Sequence, residues 1–148
     1  MWRQPYRYAR CLVPALGWYE WAVLETAHES SGEVRHRKQP YFIHPSDARL
    51  ICFAGLLGAY RVNGATTDLS CAILTRRAAG PASEIHRRMP VVLAEDDLQD
   101  WLASHVTRPD AVQGMIERAR SEFRYHAVSA RLNTSTAEDE ALAQTPLP

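Results

Sequence analysis

The sequence predicts an α+β domain dominated by antiparallel strands, with two helices near its carboxy-terminal end. Three observations carry this. Short runs of aromatic and apolar residues recur through the first half, each bounded by turn-forming residues. Asn63-Gly64 is a strong hairpin signal between two such runs. Apolar residues at helical spacing appear only after Leu93.

Residues 11–21 read as a first strand, with Pro14 at its beginning or at a bulge. Residues 22–38 gain charge around Ser30-Ser31-Gly32 and read as a hairpin excursion. Pro40 to His44 and Leu50 to Leu57 are the second and third strands, joined by a turn at Pro45-Ser46-Asp47. Leu69 to Leu74 is the fourth. Arg76 to Pro90, with Gly80-Pro81 inside, reads as a loop or short helix, and loops this long in compact domains are disproportionately functional. A helix follows, with Glu95, Asp96 and Asp97 in the first turn and Leu98, Trp101 and Leu102 on one face. The second helix spans Pro109 to Arg120 and aligns Val112, Met115, Ile116 and Ala119. Tyr125 to Ser129 is a last strand. Residues 131–148 are polar with two prolines and read as a partly ordered tail.

The chain of 148 residues suits a single domain, 1–148, and its 46% hydrophobic and 23% charged residues are those of a globular protein. Net charge is zero, so no global field points to nucleic acid or a membrane. Local knots exist: Arg3, Arg7 and Arg10; Arg35, His36, Arg37 and Lys38; Arg76, Arg77, Arg87 and Arg88. They are either separately solvated or converge on a groove. Acid gathers at Glu95-Asp96-Asp97 and Glu138-Asp139-Glu140. Cys11, Cys52 and Cys71 lack metal-like spacing and lie in apolar runs, which predicts buried free thiols in a reducing compartment. The six histidines lack paired ligand spacing, so neither metal nor cofactor is expected. No signal peptide or membrane-length apolar run is present, and a cytoplasmic location without a membrane partner is expected.

Two segments carry chemistry. In Gly17-Trp18-Tyr19-Glu20-Trp21, an extended chain puts Trp18 and Glu20 on one face and Tyr19 and Trp21 on the other. A carboxylate beside an indole is desolvated, which raises its pKa towards the range useful for proton transfer. The other reading pairs Glu20 with an arginine at a strand end. In Ile85-His86-Arg87-Arg88-Met89-Pro90, a histidine stands beside two guanidinium groups suited to phosphate oxygens. The other reading is a surface loop with a satisfied histidine.

Five blocks follow in order along the chain: Arg10-Cys11-Leu12-Val13-Pro14-Ala15-x-Gly17-Trp18-Tyr19-Glu20-Trp21; Lys38-Gln39-Pro40-Tyr41-Phe42-Ile43; Phe53-Ala54-Gly55-Leu56; Ile73-Leu74-Thr75; and Ile85-His86-x-Arg88-Met89-Pro90-Val91. With Tyr125-His126-x-Val128-Ser129 and Asn133, the series resembles the SOS-response-associated peptidase (SRAP) family, proteins that sense abasic sites in single-stranded DNA. The resemblance covers nearly the whole chain and implies a barrel-like antiparallel core. It also implies a covalent mechanism. An amino-terminal cysteine attacks the ring-opened abasic sugar, first as an imine and then as a thiazolidine, and the crosslink shields the lesion. By resemblance Glu20 assists proton transfer, His86 contacts the opened sugar, and Arg88, Arg87, Trp18 and Arg10 line the DNA groove. An SRAP-type lyase or peptidase activity is implied with them.

The chain opens Met1-Trp2 where the family opens with cysteine, and Cys11 lies within a strand without an adjacent free amine. The resemblance therefore implies the carboxy-terminal two thirds of a family member, with no residue here assigned as nucleophile. A separate amino-terminal fragment is an expected partner. Trp18, Trp21, Phe42, Phe53 and Leu56 are then candidates for an exposed apolar patch. The alternatives are a non-catalytic single-stranded DNA-binding module and an inactive remnant.

Overall fold

The computed structural model describes residues 3–27, 34–62, 66–133 and 146. It is α+β, as expected, and its strand ladders are antiparallel. In chain order the elements are α1 (Arg3–Tyr8), β1 (Arg10–Ala15), β2 (Trp18–Ala27), β3 (Val34–His44), β4 (Ile51–Val62), β5 (Thr66–Ile73), β6 (Thr75–Arg77), a 3-10 turn (Gly80–Glu84), β7 (Arg88–Pro90), a second 3-10 turn (Glu95–Asp97), α2 (Leu98–Leu102), α3 (Pro109–Glu117), β8 (Arg124–Ala127) and a third 3-10 turn (Ala130–Asn133). Three sheets result, in the orders β1-β4-β5, β2-β3-β8 and β6-β7, and no ladder among the described residues closes a barrel. The expected Asn63-Gly64 turn and the acidic Glu138-Asp139-Glu140 lie outside the described residues, as does most of the tail.

The residues gather into two compact units. The first contains α1, β1, β4 to β7, α2 and α3. Its core joins Ala54 and Leu56 of β4, Val91, Leu93, Trp101, and Val112, Met115 and Ala119 from the α3 region. The apolar stripe expected on the second helix is therefore its buried face. Leu98 packs against that core and Trp101 is fully buried, whereas Leu102 is exposed. The first helix is also shorter than its sequence pattern: Asp97 ends a 3-10 turn, is itself buried, and accepts a 2.7 Å hydrogen bond from Arg118.

The second unit contains β2, β3, β8 and the loop Ala78–Arg87. Residues 11–21 do not form one strand. The chain breaks at Leu16-Gly17, β1 pairing with β4 and β2 with β3. Gly17 makes this break possible: a Cβ there would stand 2.3 Å from the Ile43 carbonyl oxygen and 2.8 Å from the Phe42 ring. The hairpin excursion proves to be a continuation of pairing, β2 and β3 running in register from Trp18↔Ile43 to Ala27↔Val34. Alternation alone could not mark these strands, because charged residues crowd the segment from Arg35 to Lys38. Gln39 ties the sheet to the following chain, donating to the Val128 carbonyl at 2.8 Å.

The expected exposed patch is not assembled. Trp18, Phe42, Phe53 and Leu56 are buried, and only Trp21 is open to solvent. The other exposed large apolar side chains include Val23, Leu50 and Leu69.

Candidate active site

The β2-β3-β8 register fixes which side chains share a face. Trp18, Ile43 and Tyr125 lie in one row and Glu20, Tyr41 and Ala127 in the next corresponding row of the same face. Tyr19, Phe42 and His126 form the row between, on the opposite face. There the Tyr19 and Phe42 rings are 5.1 Å apart, and Phe42, His44 and His126 make a further ring cluster.

The loop from Ala78 to Arg87 is closed at its base by the Ala78 amide, which donates to the Arg87 carbonyl at 3.0 Å. A Gly80–Glu84 turn shapes it, and the Ile85 and His86 amides both donate to the Ala82 carbonyl at 3.2 Å. Gly80 takes φ 60°, a conformation that glycine adopts without strain, and Pro81 follows inside the turn. Two side chains of this loop reach the sheet. Tyr125 Oη donates to Glu84 Oε2 at 2.6 Å, and His86 Nδ1 lies 3.7 Å from Glu20 Oε2.

Glu20 and His86, predicted from separate segments, are thus brought together. Glu20 is 24% exposed and His86 41%, so both are partly open to solvent. Burial pushes the Glu20 carboxyl above its ordinary value; the nearby His86 and the Trp21 amide oppose that shift. The outcome is a carboxyl held nearer neutrality than a solvated glutamate and within reach of an imidazole, an arrangement fit for giving and taking protons. Among the described residues, no cluster of three or more His, Cys, Asp or Glu could hold a metal.

The four expected DNA contacts divide. Arg87 and Arg88 are exposed. Arg88 donates to Thr75, to the carbonyl at 3.0 Å and from Nε to Oγ1 at 3.1 Å. Arg10 is instead an internal pin. Its guanidinium donates to the carbonyls of Trp101 (2.5 Å), Tyr6 (3.0 Å), Arg7 (2.7 Å) and Ala103 (2.7 Å), and lies over the Trp101 ring. Those donors are committed within the fold. Trp18 is buried and meets Phe123 edge to face at 4.9 Å. Arg76, from the third arginine knot, is another pin, holding the Ala119 and Arg120 carbonyls at 2.8 Å each.

Tyr125, Glu84 and Tyr41 were missed as site-forming residues. Tyr125 lies in a quoted block, yet its position on the Glu20 face follows only from the β3-β8 register, and its ring meets that of Tyr41 at 5.6 Å. No local signal distinguishes Glu84 from any solvated glutamate.

The antiparallel sheet presents a partly buried carboxyl to an imidazole on the Ala78–Arg87 loop. The comparisons supply the lineage. The model of the family described as SOS response associated peptidase (SRAP) matches residues 1–135, and the chain belongs to that family. It is 32% identical over 114 residues to abasic site processing protein YoaM of Bacillus subtilis, covering 77% of this chain and 46% of that protein. It is 24% identical to abasic site processing protein YedK of Escherichia coli, covering 97% of this chain and 61% of the relative. Among solved structures, a protein from Bacteroides thetaiotaomicron shares the fold with TM-score 0.75 at 20% identity, covering 98% of this chain and 60% of that one. A phage-related protein from Bordetella bronchiseptica matches with TM-score 0.64 at 31% identity, over 86% of this chain and 56% of that one. The chain spans about half the length of the Bacillus relatives it matches.

Proposed function

We propose that this chain carries the acid–base part of an abasic-site processing protein acting on single-stranded DNA. The observation that carries the reading is the 3.7 Å approach of His86 Nδ1 to Glu20 Oε2, with burial raising the Glu20 carboxyl. The abasic sugar is in equilibrium with an open-chain aldehyde. Glu20 delivers or removes the proton that ring opening and imine formation require, and His86 holds the opened sugar by hydrogen bonding. The covalent step is the one that family resemblance implies: an amino-terminal cysteine whose amine and thiol close a thiazolidine on the sugar. Cys11, Cys52 and Cys71 all lie within strands, so none is assigned that role. The cysteine belongs to an amino-terminal segment acting with this chain. Arg87 and Arg88 are the phosphate contacts retained in this proposal. Its setting is cytoplasmic DNA repair, and no helix among the described residues is long and apolar enough to cross a membrane.

The second reading is a non-catalytic single-stranded DNA-binding module, for which Trp21 is the exposed tryptophan while Trp18 is packed against Phe123. The test offers an abasic single-stranded oligonucleotide to this chain joined to an amino-terminal segment beginning with cysteine. A DNA adduct that survives a denaturing gel, formed more slowly by Glu20→Gln and by His86→Ala, supports the assignment. Unchanged adduct rates in both variants sink it.

A further inference from the structure

We propose that Cys11 and Cys71 form a two-coordinate site for a soft monovalent cation, copper(I), on one face of the β1-β4-β5 sheet. The two residues lie on the strands either side of β4, Cys11 opposite Gly55 in register and Cys71 opposite Leu57. Gly55 and Leu57 are two positions apart, so both cysteines belong to the same face. Their Sγ atoms meet at 3.3 Å. Gly55 makes room for the meeting: a Cβ there would stand 2.7 Å from Cys11 Sγ and 3.0 Å from Cys71 Sγ.

The backbone spacing decides what kind of bridge the pair can make. Two strand spacings, about 9.5 Å, separate β1 from β5, whereas a disulfide spans Cα atoms about 4.4–6.8 Å apart. An ion placed between the sulfurs lengthens the bridge and asks for no approach of the strands. With metal–sulfur bonds no longer than the roughly 2.3 Å of zinc thiolates, collinear sulfurs stand at most about 4.6 Å apart. The 3.3 Å contact therefore needs only to open. Cys71 is exposed, correcting the expectation of three buried thiols, and rotation of its side chain supplies that opening.

Ligand number and softness then choose the ion. Thiolates favour copper(I), zinc and iron–sulfur clusters. Zinc and the clusters call for more ligands, and among the described residues no third His, Cys, Asp or Glu joins the pair. Copper(I) is satisfied by two sulfurs on opposite sides of it. The neighbouring side chains of this face, Val13, Phe53, Leu57 and Ile73, are apolar and offer a hard ion neither oxygen nor nitrogen. Cys52 lies three positions from Gly55 and so faces the other side of the sheet. Burial, with Cys71 beside it, pushes the Cys11 thiol up to about 11, so the cation must displace its proton. One copper(I) and two thiols give one copper dithiolate and two protons released to solvent, and no electron is transferred.

The experiment offers the native chain copper(I) as its bicinchoninate complex, without oxygen, and follows the transfer by loss of that complex's colour. We expect one copper per chain, two sulfur neighbours at a single distance by X-ray absorption, and unchanged sedimentation on loading. Cys11→Ser and Cys71→Ser should each lose the transfer, whereas Cys52→Ser should keep it at wild-type affinity. Because Cys71 is exposed, Cys71→Ser leaves the fold intact and its loss reports the ligand alone. An equal concentration of zinc(II) should not displace the copper. Wild-type affinity in Cys11→Ser or Cys71→Ser, a shell of three or four sulfurs, copper shared between two chains, or no transfer at all overturns the proposal.

Discussion

His86 Nδ1 stands 3.7 Å from Glu20 Oε2, beyond direct hydrogen-bond length but close enough for their charges to couple. Burial raises the Glu20 carboxyl and His86 pulls it back. Removing His86 should therefore move Glu20 further upward. The Glu20 carboxyl, followed by carbon-13 NMR, should titrate at higher pH in His86→Ala than in the wild type. An unchanged titration would show that the two groups do not interact.

Glu20→Gln should lower the rate of abasic-DNA adduct formation by about 10²–10⁴-fold, the range for loss of a general acid or base. Its effect on folding should run the other way. A carboxyl raised in the folded state binds its proton more tightly there than in the unfolded chain. Its contribution to stability is complete below the unfolded pKa and declines as pH rises through the folded one. At neutral pH that decline is already present, so Glu20→Gln should resist urea at least as well as the wild type. A clearly less stable variant would assign Glu20 a structural role instead.

Arginine substitutions should separate pins from phosphate ligands. Arg10→Leu strips the donors from the Trp101, Tyr6, Arg7 and Ala103 carbonyls, and each buried acceptor left unpaired costs about 1–3 kcal/mol. Denaturant midpoints should fall sharply. Arg87→Ala should change stability by no more than about 0.5 kcal/mol and lower the salt slope of single-strand binding by about one. An Arg10 variant of normal stability with a reduced salt slope would instead place Arg10 among the phosphate ligands.

Gly17→Ala should cost about 1–3 kcal/mol or more, since its methyl group would meet the Ile43 carbonyl oxygen and the Phe42 ring. Thermal unfolding reads this directly. Little change would mean that the turn can open without disturbing β2 and β3.

Tyr125→Phe removes only the donor of the 2.6 Å bond to Glu84. We expect faster amide exchange in the Ala78–Arg87 loop and a slower adduct reaction, with β8 still paired to β3. Exchange unaltered in that loop would show that the turn at Gly80–Glu84 holds it alone.

The sequence made the antiparallel α+β class, the α3 stripe and the Glu20–His86 pairing legible, though by different routes. Val112, Met115 and Ala119 reveal their buried face by spacing alone, because helical periodicity is local. Glu20 and His86 lie far apart along the chain, and family resemblance joined them where spacing could not. The β1/β2 break was hidden because Gly17 reads as a pause within an aromatic run; its necessity depends on Ile43, a residue of another strand. The burial of Arg10 and Trp18 was hidden for a related reason. Arginine and tryptophan serve interiors as well as surfaces, and only their partners, Trp101 and Phe123, decide which. Tyr125 and Glu84 stayed invisible because strand register is a long-range property.

The clasp between Tyr125 and Glu84 has a consequence for the timing of synthesis. The β2-β3 hairpin, with Glu20 in place, can pair as soon as His44 is free of the ribosome, and the loop bearing His86 emerges later. That loop gains its side-chain anchor only when β8, the last strand among the described residues, has been made and docked on β3. A nascent chain halted before Tyr125 therefore displays the carboxyl and the imidazole without the tether between loop and sheet. The tether between loop and sheet is thus the last of these contacts to become possible as the chain emerges.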